Sequence, residues 1–169
     1  MVAKAAPLNG AYSVEHSSFP DDESIALYKK TGAIMVPTLS YITRWTDEYV
    51  ASLVPYQKNR KLQFKEQQPK GVAKAYKAGV IIAAGTDVGS GLMIHGLSVE
   101  EPIAFVDLAG MTPMDAIVTA TVNGAKLLRK EASFGSRRRM FRAHPSVGCR
   151  FPRMTREWTR PHDWIFPTF

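Results

Sequence analysis

His16 and Asp87 are the side chains whose types and placement best suit joint chemistry. His16 follows the β-prone run Ala11–Val14 and Glu15, and Asp87 follows the apolar run Val80–Ala84 and the turn Gly85-Thr86. Taken alone, a histidine after a strand is usually structural or exposed, and an aspartate in Gly-Thr-Asp is usually a turn or cap residue. Carried together on one sheet rim, an imidazole and a carboxylate form half of a site for zinc or a related divalent ion. A catalytic metal needs about three protein ligands and an open position, so the pair is too few by itself. His95, in the loop after Asp87, is either a solvated loop residue or a contact to substrate or to a ligating side chain. Glu15 would point away from His16 in a continuing strand and is assigned no role.

Other patterns are weaker. Gly85, Gly89, Gly91 and Gly96 surround Asp87, but neither G-x-G-x-x-G nor G-x-x-x-x-G-K-[ST] is present, so a phosphate cradle is poorly supported. Cys149, His144 and His162 lack metal-ligand spacing and are read as incidental.

The pair needs elements to hold it. Val80–Ala84, bounded by Gly79 and Gly85, suits a buried strand of a parallel sheet covered on both faces. The carboxyl ends of such strands carry the chemistry of open α/β sheets and (β/α)8 barrels. Ala33–Leu39 predicts a second buried strand, with Pro37 at its end because it cannot donate to a ladder. Between Ala11–Val14 and that strand, SSFPDDESIALYKKTG signals a helix. Asp21 or Asp22 caps it, Glu23 and Lys29-Lys30 suit its two ends, and Gly32 stops it. Tyr41–Pro55, with Tyr41, Trp45 and Tyr49 among polar residues, reads as a lid or excursion leading into a helix. Gln57–Ala78 is helical and basic, with Pro69 marking a break or a start.

Ser98–Ala109 predicts a helix with Val99, Pro102, Ile103 and Val106 inward, and Phe105 as a further candidate. Thr112-Pro113-Met114-Asp115 starts the next one, expected to reach about Leu128 and to bury Ala116, Ile117, Ala120, Ala125 and Leu127 or Leu128. This order implies parallel strands joined by right-handed crossovers.

Composition bounds the partners. A length of 169 residues and 45% apolar content suit one domain with a core. No run of 18 apolar residues and no signal-peptide pattern occurs, so a membrane partner is not expected and the cytoplasm is the expected location. One cysteine excludes an intrachain disulfide framework. The net charge of +7 is uneven: residues 137–169 hold eight arginines against Glu157 and Asp163, leaving +1 for the rest. A functional nucleic-acid role is not expected from a basic segment without periodicity.

Three blocks, YSVEHSSFPDDESIALYKKTGAIMVPTLS, AYKAGVIIAAGTDVGSGLMIHG and LAGMTPMDAIVTATVNGAKLL, together resemble the amidohydrolase superfamily. The nearest branch is imidazolonepropionase-like and Xaa-Pro dipeptidase-like, and the resemblance covers roughly Ala3 to Ser136. It implies an α/β fold of the (β/α)8 TIM-barrel type, of which about the last three βα units are present. His16 would be the metal-binding histidine after the sixth strand. Asp87 would be the metal ligand and proton carrier after the eighth, and His95 a substrate-binding residue in the loop that follows. The implied cofactor is a divalent metal, Zn2+, with Mn2+, Fe2+ or Co2+ as alternatives. The implied activity is attack of metal-activated water on the carbonyl of a small-molecule amide, peptide, lactam or ester.

The family's HxH motif, bridging lysine and fifth-strand histidine are absent and would lie before Met1. Beyond Ser136 an Arg/Pro/Trp-rich segment replaces the expected continuation. The expected division is therefore a partial barrel domain, 1–136, and an irregular tail, 137–169, read as frameshifted or truncated. A partial barrel leaves open sheet edges, which a homo-oligomer would cover. The alternatives are a catalytically incomplete fragment pairing with another chain, and a flavodoxin-like protein binding a small ligand.

Overall fold

Three short runs of extended chain form the centre. A computed structural model describes residues 2–89 and 94–133, and the expected tail, 137–169, lies outside them. Helix α1 (Val2–Leu8) leads into strand β1 (Ser13–Glu15), helix α2 (Asp22–Thr31) and strand β2 (Ile34–Val36). The strands pair in parallel, Ser13, Val14 and Glu15 standing opposite Ile34, Met35 and Val36. On the other side of β2, Met35 N donates to Ile81 O and Ala83 N to Met35 O, each at 2.9 Å, making a parallel bridge between Met35 and Ile82. β2 is thus the central strand of an α/β unit with a small parallel sheet.

Residue parity explains why the strands read as unbroken apolar runs. Val14, Met35 and Ile82 face a core shared with Ile25, Tyr28, Val72, Ala75 and Phe105. Ile34, Val36 and Ala83 face the other way, against Tyr12, Ile81 and Leu127. Both faces are covered, as in parallel sheets generally. The α2 signals act as expected. Asp21 is the N-cap, its side chain accepting from Ser24 N at 2.9 Å, and Gly32 ends the helix with φ 72°.

Several expectations change. The strand expected over Val80–Ala84 contributes a single bridge, because Ala84 N donates to Thr119 O (3.1 Å) and not to a strand. Asn123 Nδ2 donates to Ile82 O at 2.8 Å on the same side. The edge expected to lie open there is covered by helical residues of the same chain. The same contact divides the long helix expected after Thr112. With Thr119 O engaged by Ala84, Thr121 leaves helical geometry (φ −115°, ψ −80°), giving α6 (Pro113–Ala120) and α7 (Val122–Leu127). Ile117, Ala120 and Leu128, expected inside, are exposed.

Leu39–Arg44 forms a 3-10 helix and Asp47–Ala51 helix α3. Helix α4 (Pro55–Lys77) starts on Pro55 and runs straight through Pro69. Proline removes one helix hydrogen bond, but the buried face of Gln68, Gly71, Val72 and Ala75 holds the helix across it. Helix α5 (Glu100–Ala109) buries Glu101, Ala104, Phe105 and Ala109, while the expected Val99 and Ile103 are exposed. Anchoring of the Glu101 carboxylate to the 3-10 helix sets this rotation. Among the described residues no helix is long and apolar enough to cross a membrane.

The α4 packing predicts a stability effect. A Cβ on Gly71 would lie 2.6 Å from Pro20 Cδ, so Gly71→Ala is expected to cost about 1–3 kcal/mol by overpacking. Urea unfolding followed by circular dichroism measures it. An unchanged midpoint would mean that Pro20 moves aside freely.

Candidate functional site

At the carboxyl ends of the three extended runs stand three non-glycine residues with left-handed backbone: His16 (φ 59°), Thr38 (φ 55°) and Asp87 (φ 52°). Such residues are uncommon, and retained strain of this kind clusters at functional sites. His16 Nε2 and Asp87 Oδ2 lie 4.0 Å apart, with the two side chains 58% and 51% exposed. The pair is therefore open to a ligand. The turn at His16 is held from behind, its carbonyl accepting from Ser18 Oγ (3.1 Å) and from Gln68 Nε2 (3.3 Å). The same Gln68 nitrogen donates to Pro37 O at 2.7 Å. One buried amide thus ties the end of β1 to the end of β2.

A cavity of about 670 Å³ opens from this rim. Its mouth includes His16, Thr38 and Asp87, and its walls include Tyr41, Trp45, Tyr49, Lys61 and Phe64. The segment expected as a lid or excursion supplies much of one wall. Tyr41 and Trp45 meet edge to face at 5.5 Å, and Trp45 meets Phe64 at 6.3 Å. Lys61 Nζ sits 3.8 Å from the Trp45 ring centroid, with Tyr49 and Tyr41 at 5.4 and 5.7 Å. Burial holds the Lys61 amine below the ordinary lysine range, and the ring faces offset part of the lost solvation.

Glu101 supports the wall from inside the protein. It is fully buried, and its carboxylate accepts from Leu39 N (2.6 Å) and Ser40 N (2.8 Å). Burial pushes the carboxyl above its ordinary range, against the downward pull of Ser40 and Leu39. Nothing in the sequence distinguishes Gln68 or Glu101, each one more polar residue of a helix. Tyr41, Trp45 and Tyr49 lie on the 3-10 helix, at its C-cap and on α3, so no single helix face joins them; they converge around Lys61.

His95 lies outside the cavity lining. It is exposed, with Nε2 3.5 Å from where a Cβ on Gly89 would stand. Gly91 of the suggested glycine cradle falls outside the described residues. His16 and Asp87 offer the nitrogen and oxygen donors that zinc and related ions take. Among the described residues no group of three or more His, Cys, Asp and Glu gathers to complete such a set, so the donors present fit part of a metal site.

Over 114 residues the chain is 35% identical to an ochratoxinase of Aspergillus niger, a match that takes in 68% of this chain and 23% of that protein. It thus spans roughly a quarter of the length of the curated relatives it matches. A Xaa-Pro dipeptidase solved with methionine bound in its active site superposes with a TM-score of 0.69 and 34% identity, over 79% of this chain and 33% of that one. The crystal structure of A. niger ochratoxinase superposes with a TM-score of 0.66 and 33% identity, over 74% and 28%. No protein-family profile matches the chain.

Proposed function

We propose that this chain, a partial-length relative of ochratoxinase and of a Xaa-Pro dipeptidase, belongs to the amidohydrolase superfamily and that its His16–Asp87 rim serves metal-dependent hydrolysis of an amide or peptide bond. The observation that carries this reading is the approach of His16 Nε2 to Asp87 Oδ2, 4.0 Å, at the mouth of an aromatic cavity. The accompanying fold reading makes β1, β2 and the Ile82 run the sixth, seventh and eighth strands of a (β/α)8 barrel.

His16 and Asp87 would hold a divalent cation, Zn2+ in this reading, through an imidazole nitrogen and a carboxylate oxygen, and the cation would supply Lewis acidity and lower the pKa of water. Asp87 accepts the proton of the attacking water on its carboxylate and passes it to the nitrogen of the leaving amine. Tyr41, Trp45, Tyr49 and Phe64 bury an apolar part of the substrate beside the rim and keep water from it. His95 meets the portion of the substrate that projects past Gly89.

A second reading is favoured by the shortage of converging ligands among the described residues: another polypeptide completes the site. Both are tested on the purified 169-residue chain with Zn2+, by metal content per chain and by turnover of an Xaa-Pro dipeptide and of ochratoxin. A self-contained enzyme holds near-stoichiometric metal and turns over, and His16→Ala abolishes both. A chain that needs a partner holds metal weakly, loses even that in His16→Ala, and shows no turnover alone. Tight metal binding indifferent to His16→Ala would sink both readings.

A further inference from the structure

We propose that Thr38 is a substrate-contacting residue of this site, its hydroxyl offered to the oxygen of the carbonyl under attack. The inference rests on the hydrolase reading and assigns a residue just past the carboxyl end of the central strand, between the two proposed to carry the metal chemistry.

Thr38 occupies the N-cap position of the 3-10 helix Leu39–Arg44. A threonine there ordinarily spends its hydroxyl on a free N–H of the first turn, with extended backbone of its own. Neither holds: φ 55° and ψ 53° are left-handed, and the side chain makes no cap hydrogen bond. Left-handed backbone is a genuine outlier for a β-branched residue. The N–H groups of Leu39 and Ser40 are instead taken by the buried Glu101 carboxylate. From the other side Gln68 fixes the carbonyl of Pro37, together with that of His16.

Two buried polar side chains, one from α4 and one from α5, thus meet the backbone demands of the turn. The Thr38 hydroxyl is released from capping, and among the described residues no hydrogen bond engages it. It lines the cavity with His16 and Asp87. Because β2 runs between β1 and the Ile82 run, Thr38 stands about 4.8 Å, one strand spacing, from the runs that carry each of them. Left-handed backbone kept by a β-branched residue at the mouth of a cavity points to function. A hydroxyl at this place stabilises an oxygen that gains negative charge as water adds to the carbonyl.

The test uses the full 169-residue chain with Zn2+ and the dipeptide Met-Pro as probe, followed by NMR of the Thr38 methyl and of His16 and Asp87. The probe is expected to shift all three with one affinity. Thr38→Val, which keeps shape and removes the hydroxyl, should weaken probe binding about tenfold, and Thr38→Ser should restore it. Metal content should be the same in all these proteins. Thr38→Gly relieves the strain, so it should raise the unfolding midpoint while losing the probe as Thr38→Val does. Wild-type affinity in Thr38→Val, with the probe still shifting the His16 and Asp87 signals, overturns the inference and leaves the hydrolase reading standing. Loss of metal together with the probe in Thr38→Val makes the role structural and also overturns it. A probe that moves none of the three signals removes both readings.

Discussion

In Asp87→Asn, turnover of an Xaa-Pro dipeptide is expected to fall about 10²- to 10⁴-fold, the range for loss of a positioned acid–base group. The substitution suits the question because asparagine is among the few non-glycine residues that tolerate left-handed backbone, which Asp87 adopts at φ 52°. Folding should therefore be nearly unaffected. Asparagine also keeps the volume and one oxygen near His16 Nε2, but it cannot take a proton from water and give it to an amine. The fall should appear in kcat, with KM changed little, because in the proposed reading the substrate is held by the cavity walls, Tyr41, Trp45, Tyr49 and Phe64. A neutral amide oxygen is also a poorer ligand for a hard cation, so metal content per chain should drop with kcat. That second readout remains where turnover depends on another polypeptide. Turnover and metal content equal to wild type would remove Asp87 from the mechanism.

How much of this was legible in the sequence follows from how local each cause is. The α2 caps, Asp21 and Gly32, and the Thr112–Asp115 start depend on residues within a turn of one another, so spacing sufficed. The strand ends were legible too, since apolar runs bounded by glycine and proline locate a parallel sheet and with it the rim where His16 and Asp87 stand. What escaped depends on contacts distant in sequence. The bond from Ala84 N to Thr119 O shortened a strand and cut a helix in two, and no periodicity in either segment announces it. The facing of α5 was set by Glu101 reaching 62 residues back to Leu39. A charged residue counts as outward in any amphipathic reading, so Val99 and Ile103 were assigned inward in its place. Thr38 is equally silent in the sequence: its hydroxyl, placed on the cavity lining, makes no cap bond.

Glu101→Ala carries the largest expected loss of stability, about 3–5 kcal/mol. It leaves two buried N–H groups, of Leu39 and Ser40, without an acceptor, at about 1–3 kcal/mol each, and opens a void where a fully buried side chain stood. Glu101→Gln separates these causes. It keeps the volume and one acceptor oxygen but turns an amide N–H₂ toward the second donor, so about 1–3 kcal/mol should be lost. Acid–base linkage gives a further signature. Burial raises the Glu101 carboxyl above its ordinary 4.5, so just above that pH the folded chain holds a proton that the unfolded chain has released. Stability from this group is full below 4.5 and declines as pH rises through the folded value.

Asp21, held low by Lys4 and Ser24, and Asp115, held low by Thr112 and Tyr76, act in the opposite sense: their contributions are lost as pH falls through and below the ordinary 3.8. The two effects therefore occupy different ranges. Urea midpoints measured upward from pH 4.5 should show a declining component in wild type that is missing in Glu101→Gln. If Glu101→Ala unfolded at the wild-type midpoint, the 3-10 helix would have to find its acceptors elsewhere. The Thr38 hydroxyl stands at the N-cap, the position from which a side chain caps such a turn, and a Thr38 that caps its own helix has nothing left to offer a substrate. The stability of one buried carboxylate thus bears directly on whether the rim carries two working groups or three.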